Sequence, residues 1–495
     1  MRPSASLHVR LHTLDRYAAR CENFVLVVPR MAVLGARSAP RDTGNQPRAL
    51  PGYQGQSPWL VRQLALILVT CSACATTGRA PDRTAIDSAL RERTSQGIRI
   101  ESRAPLPPDV SLDDGLTSDE AVSIALWNSP SFQATLADLG VARADLVEAG
   151  LLRNPVLSVL FPLGPKQLEW TLQFPFEAIW QRPARVAAAE LNAQAVGERL
   201  VWNGLALVAD TRTAHADAVI AERRLQLTTE SADLVRRLAD ITEARLRAGD
   251  ISELEARAPR SDASRADAVR RAVEHDRDLT RLTLAGLLGL DVPVDQIRPA
   301  PGPSPQAPVC GTDAARVEEA LASRPDVRAA EIGIEAAARR ARWERSRVLT
   351  LMGILDGNGE GSEGAEVGPG LSAEIPIFFR NQGGTRRAEA EVERASYRYA
   401  AARTQVVAEV RSASVRLRQA QQAADAWRQE IVPSLEVEQR QAESAYKAGE
   451  TPLFTLIDVN RRLVEGRTRQ LDADADLQRA AIALERSIGR SCGQR

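Results

Sequence analysis

Arg247-Ala248-Gly249-Asp250 and Lys447-Ala448-Gly449-Glu450 are one phrase written twice, 200 positions apart. Each closes a long run of Ala, Leu, Arg and Glu and is followed by another. A cation in the last turn and then a glycine make a helix end, because glycine accepts the left-handed backbone that ends many helices. An acid just beyond it suits the start of the next helix. Each phrase therefore reads as the turn of a helical hairpin. Working outward, three more landmarks repeat in the same order. Asn128-Ser129-Pro130-Ser131-Phe132 matches Ser323-Arg324-Pro325-Asp326-Val327, Phe174-Pro175-Phe176 matches Ile375-Pro376-Ile377, and Leu288-Gly289 matches Ile488-Gly489. Their offsets are 195, 201 and 200. Four landmarks at nearly one spacing define an internal repeat.

Before each turn runs a long helical stretch, from about 182 to 247 and from about 384 to 447. At 1.5 Å per residue, ~65 residues make a rod of roughly 100 Å. Val406, Val410, Ala413, Leu417, Ala420 and Ala424 recur at steps of four and three, a heptad seam whose alanines let a neighbour come close. Pro433 is expected to kink or break the second rod. Returning helices are expected over 253–288 and 453–488. Ahead of each rod stands a pair of strand candidates. Val156–Phe161 and Leu168–Phe174 flank a Pro-Leu-Gly-Pro turn, and the second alternates apolar and polar residues. In the second copy the strands are expected near 348–355 and 370–379, with a Gly- and Glu-rich surface loop over 357–364. Shorter helices open each copy, the first from a capping Thr117 or Ser118 with acids in its first turn. Pro293 to Thr312, holding five further prolines, is read as a linker that forms neither helix nor central strand.

This plan cannot be completed by one chain. Four strands leave two open edges, and open edges cannot face lipid. A rod with an apolar seam needs neighbours as well. The sequence therefore calls for an oligomer whose strands close one barrel and whose helices form a tube. No apolar run reaches the ~20 residues of a membrane-spanning helix, so any crossing is by β-barrel. Aromatic residues make up only 4% of the chain, which suits long helices packed side by side better than several globular cores. Lys and Arg total 64 and Asp and Glu total 64, interleaved rather than blocked, and no basic patch with aromatics stands out. Nucleic-acid binding has no support.

The N-terminus reads as an export signal. Arg62, then Leu64-Ala65-Leu66-Ile67-Leu68-Val69, then small residues before Cys74 make a positive start, a short apolar core and a cleavage site. A cysteine directly after such a site resembles the lipobox of bacterial lipoproteins, where the thiol is acylated. Cys74 is the expected site and Cys71 the alternative. The expected organisation is a 1–60 extension, disordered if it is made and with the true start near Leu60 or Val61, then a 61–73 signal. A 74–115 extended segment, a 116–292 first repeat, a 293–312 linker, a 313–490 second repeat and a 491–495 tail follow. Cys310 and Cys492 are free thiols or a disulfide.

The two-copy plan, the strand end Gly368-Pro369-Gly370-Leu371-Ser372-Ala373-Glu374-Ile375-Pro376-Ile377-Phe378 and the turn Ala445-Tyr446-Lys447-Ala448-Gly449-Glu450 with Leu456-Ile457-Asp458 resemble the outer-membrane efflux protein (TolC) family. The resemblance covers about 116–488. It implies a mainly α fold with a membrane β-barrel portion: a homotrimer with a twelve-stranded barrel in the outer membrane and a helical tunnel in the periplasm. It implies a passive exit duct that works with a periplasmic adaptor protein and an inner-membrane transporter, anchored in outer-membrane lipid. It places adaptor docking on Arg247, Ala248, Gly249, Asp250, Lys447, Ala448, Gly449 and Glu450, and a pore constriction at Asp458. Thr451 and Thr455 stand where some members carry a latching Arg and a second acid. A lipid-anchored periplasmic helical scaffold or adaptor that does not span the membrane is the alternative.

Catalysis finds no footing. Of four histidines, His8 and His12 lie in the extension, and His215 and His275 are read as solvated helix residues. No HExxH or carboxylate pair at metal spacing occurs, so no enzyme activity, cofactor or metal is expected. Gly357-Asn358-Gly359-Glu360-Gly361 lacks the Lys-Ser/Thr of a phosphate loop. The transported substrate is not written in the chain.

Overall fold

The computed structural model describes residues 80–99, 106–108, 110–163, 168–303, 306–308, 310–361 and 364–492. The expected extension, the signal segment and both candidate acylation sites, Cys71 and Cys74, lie outside the described residues. A first helix, α1 (Arg83–Thr94), falls in the stretch read as extended. Asp82 caps it through the Ala85 amide, and Ile86 and Leu90 are buried.

The first repeat runs α2 (Ser118–Asn128), α3 (Pro130–Gly150), β1 (Val156–Leu160), β2 (Glu169–Pro175), α4 (Glu177–Ala248) and α5 (Glu253–Leu288). The second runs α6 (Asp313–Ser323), α7 (Pro325–Ser346), β3 (Leu351–Gly361), β4 (Gly364–Ala373), α8 (Gln382–Ala426), α9 (Val432–Lys447) and α10 (Leu453–Ile488). The order of elements repeats as read, and both returning helices match their expected bounds. The capping box expected at α2 forms: Thr117 and Glu120 each bond the other's backbone N–H. The 72 residues of α4 make a continuous rod of roughly 110 Å. Its counterpart is interrupted. Pro433 has no N–H to give, and the chain answers with a π-helical turn, Trp427–Ile431, between α8 and α9.

Three expectations about the strands and the linker are corrected. Of the stretch read as a surface loop over 357–364, residues 357–361 are strand, since β3 continues to Gly361, and β4 begins at Gly364. Cross-strand pairing supplies what glycine's weak strand preference lacks. At the other end, the expected strand 370–379 stops at Ala373. Leu351 is the last register partner on β3, and Pro376 has no N–H to extend the ladder. The linker holds a 3-10 turn, Val294–Gln296, and a parallel bridge from Pro299 to Leu116. Proline fixes φ but leaves its neighbours' amides free to bond.

The four strands form one antiparallel sheet in the order β1-β2-β3-β4. All six residues of the expected seam on α8 are buried. Ala413, Leu417, Ala420 and Ala424 pack against Ala473, Leu477, Ala480 and Leu484 of α10. A second core joins α1, α3 and α4 through Leu90, Phe132, Leu136, Leu200 and Leu205. Between the repeats, α4 and α10 are laced by ion pairs at steps of seven on both helices: Asp210 with Arg486 (3.1 Å), Asp217 with Arg479 (2.8 Å) and Arg224 with Asp472. Exposed pairs contribute little energy singly, but this ladder matches only one register. His215 is not solvated: it is 3% exposed, and its Nε2 lies 2.7 Å from the Leu116 carbonyl.

Candidate functional site: the two-faced sheet and the hairpin tips

Register assigns each strand residue to a face, because directly opposed residues in an antiparallel pair point the same way. One face takes Leu157, Val159, Trp170, Leu172, Phe174, Leu351, Gly353, Leu355, Gly357, Val367, Pro369, Leu371 and Ala373. No polar side chain other than the Trp170 indole interrupts it. The opposite face takes Ser158, Glu169, Thr171, Gln173, Asp356, Asn358, Glu366 and Ser372, together with Val156, Leu160, Met352 and Ile354. On that face Thr171 Oγ1 donates to Asp356 Oδ1 at 2.7 Å. The apolar residues are not covered: Leu157 is 61% exposed and Leu371 71%. Gly353 and Gly357 have no room for a side chain, because the Phe176 and Trp170 rings lie over them. β1 and β4 each keep one edge with no strand partner among the described residues. An apolar face, a polar face and two open edges belong to a segment of a membrane barrel rather than to a soluble sheet.

The two tips share one geometry. Gly249 and Gly449 adopt φ of 80° and 76°, the left-handed region. The Asp250 amide reaches back to the Arg245 carbonyl and the Glu450 amide to the Ala445 carbonyl, both at 2.9 Å, so the last helical carbonyls are satisfied. All eight residues read as the docking tip are exposed. Beside each turn stands an exposed apolar side chain, Leu254 (79%) and Phe454 (76%). The sequence reading missed this pair, although it carries the same 200-residue offset.

The return helices start differently. Ser252 and Glu255 form a capping box on α5, and the hydrogen bonds from the Ser252 amide and hydroxyl hold the Glu255 carboxyl below its ordinary range. α10 begins after Pro452 with no side-chain cap. On α9, the Lys447 ammonium lies 2.7 Å from Glu443 and lowers that carboxyl's pKa.

Asp458 sits in the second turn of α10. Its carboxylate pairs with Arg461 at 2.7 Å and Arg462 at 3.3 Å, and Arg462 also holds Glu438 of α9 at 2.9 Å. Within one chain this acid is therefore partnered. Farther along the same hairpin, burial raises the Asp474 pKa, opposed by the Arg428 guanidinium at 2.7 Å. Among the described residues no cluster of His, Cys, Asp or Glu is placed to hold a metal ion, and no helix is long and apolar enough to cross a membrane.

Known proteins share this fold. The family model described as outer membrane efflux protein matches residues 317–490. The cobalt-zinc-cadmium resistance protein CzcC of Cupriavidus metallidurans is 25% identical, over 76% of this chain and 90% of its own length. The pyoverdine export outer membrane protein OpmQ of Pseudomonas putida is 26% identical, over 75% of this chain and 85% of its own length. The crystal structure of the Campylobacter jejuni CmeC outer membrane channel superposes with a TM-score of 0.66 over 80% of this chain and 91% of that one, at 13% identity. The second repeat thus matches the outer membrane efflux protein model, and the chain resembles CzcC and OpmQ in sequence and the CmeC channel in fold.

Proposed function

We propose that this chain is one subunit of a passive trimeric exit duct. It crosses the outer membrane and serves a tripartite efflux or export system with a periplasmic adaptor and an inner-membrane transporter. The observation that carries the reading is the sheet: one face without a charge, one polar face and two unpaired edges. Three such sheets supply twelve strands, enough to close a barrel with the apolar face toward lipid and the polar face toward the lumen. The rods below it are long enough to reach far into the periplasm.

Adaptor docking is assigned to the tip residues Arg247, Ala248, Gly249, Asp250, Lys447, Ala448, Gly449 and Glu450. Their exposure on two turns of the same backbone conformation supports it, and so do Leu254 and Phe454, apolar anchors of the kind that carry interface energy. Asp458 is assigned to the constriction, where Arg461 and Arg462 would offset the charge of an acidic ring. Acylation of Cys74, or of Cys71, would hold the chain at the outer membrane. CzcC and OpmQ are named for metal-ion resistance and pyoverdine export, so cargo is taken to follow the transporter rather than the duct.

The test is reconstitution. Purified chain is expected to run as a trimer in detergent and to open discrete conductance steps in planar bilayers. Monomeric protein that binds vesicles without conductance would favour the non-spanning scaffold and sink this reading.

A further inference from the structure

Each repeat is closed where it begins and ends, and the two closures use different chemistry. In the first repeat, the Leu116 amide donates to the Arg298 carbonyl and the Ala300 amide to the Leu116 carbonyl, both at 2.7 Å. His215 of α4 contacts that same carbonyl. This bridge joins the segment just before α2 to the linker ten to twelve residues beyond the end of α5, past the Val294–Gln296 turn. In the second repeat the corresponding places are residues 310–312, just before α6, and 489–492, just after α10. There the join is the Cys310–Cys492 disulfide, with a Cα–Cα distance of 5.4 Å across 182 positions of sequence.

We propose that Cys310–Cys492 is the covalent counterpart of the Leu116 bridge. It is installed by thiol oxidation after export, and it holds the linker and the tail on the base of the second repeat. The ring it closes contains α6 to α10, both strands of that repeat and the whole second hairpin.

The surroundings bring the two thiols together without the bond. The Cys492 amide donates to Glu485 Oε1 at 3.0 Å, and Arg490 pairs with Glu319 of α6. Arg316 Nε reaches the Cys310 carbonyl at 3.4 Å. Both cysteines pack on the cluster that holds Leu484 and Ile488. The folded chain is thus a template, and oxidation locks what packing has placed.

The chemistry balances with one reagent, the disulfide of an exported dithiol oxidase. One Cys thiolate attacks it to give a mixed disulfide and release one thiol of the oxidase. The second Cys thiolate then displaces the other. The pair loses two electrons and two protons, and the oxidase disulfide becomes a dithiol. Such bonds persist in oxidising compartments, so the proposal rests on the export reading for its oxidant alone.

The test uses the full chain purified from outer membranes. Alkylation before and after reduction, read by mass spectrometry on the peptides that hold residues 310 and 492, is expected to show both sulfurs blocked until reductant is added. Reduction is then expected to speed proteolysis between 299 and 312 and beyond 488 by about tenfold, with cleavage in α4 unchanged. Cys310→Ser, Cys492→Ser and the double variant are expected to show one and the same acceleration, because either substitution removes the whole bond. Free thiols in the untreated protein would overturn the proposal, as would single variants whose effects differ and add. A chain found reduced in the cytosol that forms the bond with oxidised glutathione would keep the closure and sink the export reading instead.

Discussion

Ser129 and Arg324 stand at the same place in the two repeats, each just ahead of the proline that opens the second helix, and they hold their repeats by different means. Ser129 is buried and lies 3.1 Å from the Ser131 hydroxyl. Arg324 is 1% exposed and gathers four elements. It donates to both oxygens of Asp326 (3.0 and 2.7 Å), to Glu409 of α8 (2.6 Å) and to the Ser487 carbonyl at the end of α10 (3.0 Å). Its guanidinium also lies 4.2 Å from the ring centre of Trp202 on α4, in the other repeat. Burial opposes its charge, but the bonds to Asp326 and Glu409 outweigh burial and raise its pKa above the ordinary arginine value. The lesson is that one backbone plan tolerates two kinds of fastening. The first repeat uses small residues and backbone bonds, with one unbroken rod. The second uses a buried charge and a disulfide, with a rod broken by a π turn.

The largest expected effect tests that contrast directly. Arg324→Ala leaves Asp326 and Glu409 without their shared partner and is expected to cost about 3 kcal/mol in denaturant unfolding. Ser129→Ala loses one neutral hydrogen bond and is expected to cost less than about 1 kcal/mol. Equal costs would break the comparison. Arg324→Lys keeps the charge but not the planar fork, and should fall between them.

Next in size is a pH effect of opposite sign in the two repeats. Burial holds the His215 pKa below its ordinary 6.5, against the pull of the Leu116 carbonyl and Asp119. As pH falls through 6.5 the unfolded chain takes up the proton first, so the stability that neutral His215 contributes is lost toward its lower folded value. Burial raises the Asp474 and Glu485 carboxyls, so their contribution is present in acid and is lost as pH rises through their folded pKa values. Acidification from pH 7 toward 5 should therefore weaken the Leu116 bridge and spare or tighten α10. Hydrogen exchange at the Ala300 amide, against amides around Asp474, reads both. Uniform change in the two repeats would contradict the assignment.

A smaller effect separates the tips. Ser252→Ala removes the α5 cap and is expected to lower local protection there by about 1 kcal/mol. Thr451 Oγ1 is buried with no hydrogen-bond partner, so Thr451→Ala should cost the second tip well under that. The smallest change is Pro433→Ala. Restoring an N–H is expected to favour regular helix across Trp427–Ile431 by a few tenths of a kcal/mol, seen as slower amide exchange in that turn alone.

What could be read in advance follows from which forces are local. The turn glycines, the α8 seam and the first strand pair stood out because periods of 3.5 and 2 survive packing. The repeated landmarks also turn out to touch. Gly289 lies against the Asn128 carbonyl and Pro130, and Gly489 against Arg324. β3 and β4 were misplaced because a Gly-rich strand has little preference of its own, and the Trp170 ring that covers Gly357 comes from 187 positions away. The apolar tip pair was legible through its offset and was passed over. The buried His215, the Arg324 cluster and the choice between free thiols and a disulfide were not legible, because each depends on contacts 85 to 182 positions apart.

The central claim is that the sheet has a lipid face and a lumen face, and accessibility along both strands of each repeat tests it most directly. Single cysteines would replace Leu157, Ser158, Val159, Thr171 and Leu172 in the first repeat, and Leu355, Asp356, Leu371 and Ser372 in the second. With the native disulfide intact, outer membranes would be exposed to a charged, membrane-impermeant maleimide. The account predicts labelling that alternates residue by residue: Ser158, Thr171, Asp356 and Ser372 react, and their apolar neighbours do not. Equal labelling of both sets, or none at either, would contradict a barrel built from these strands.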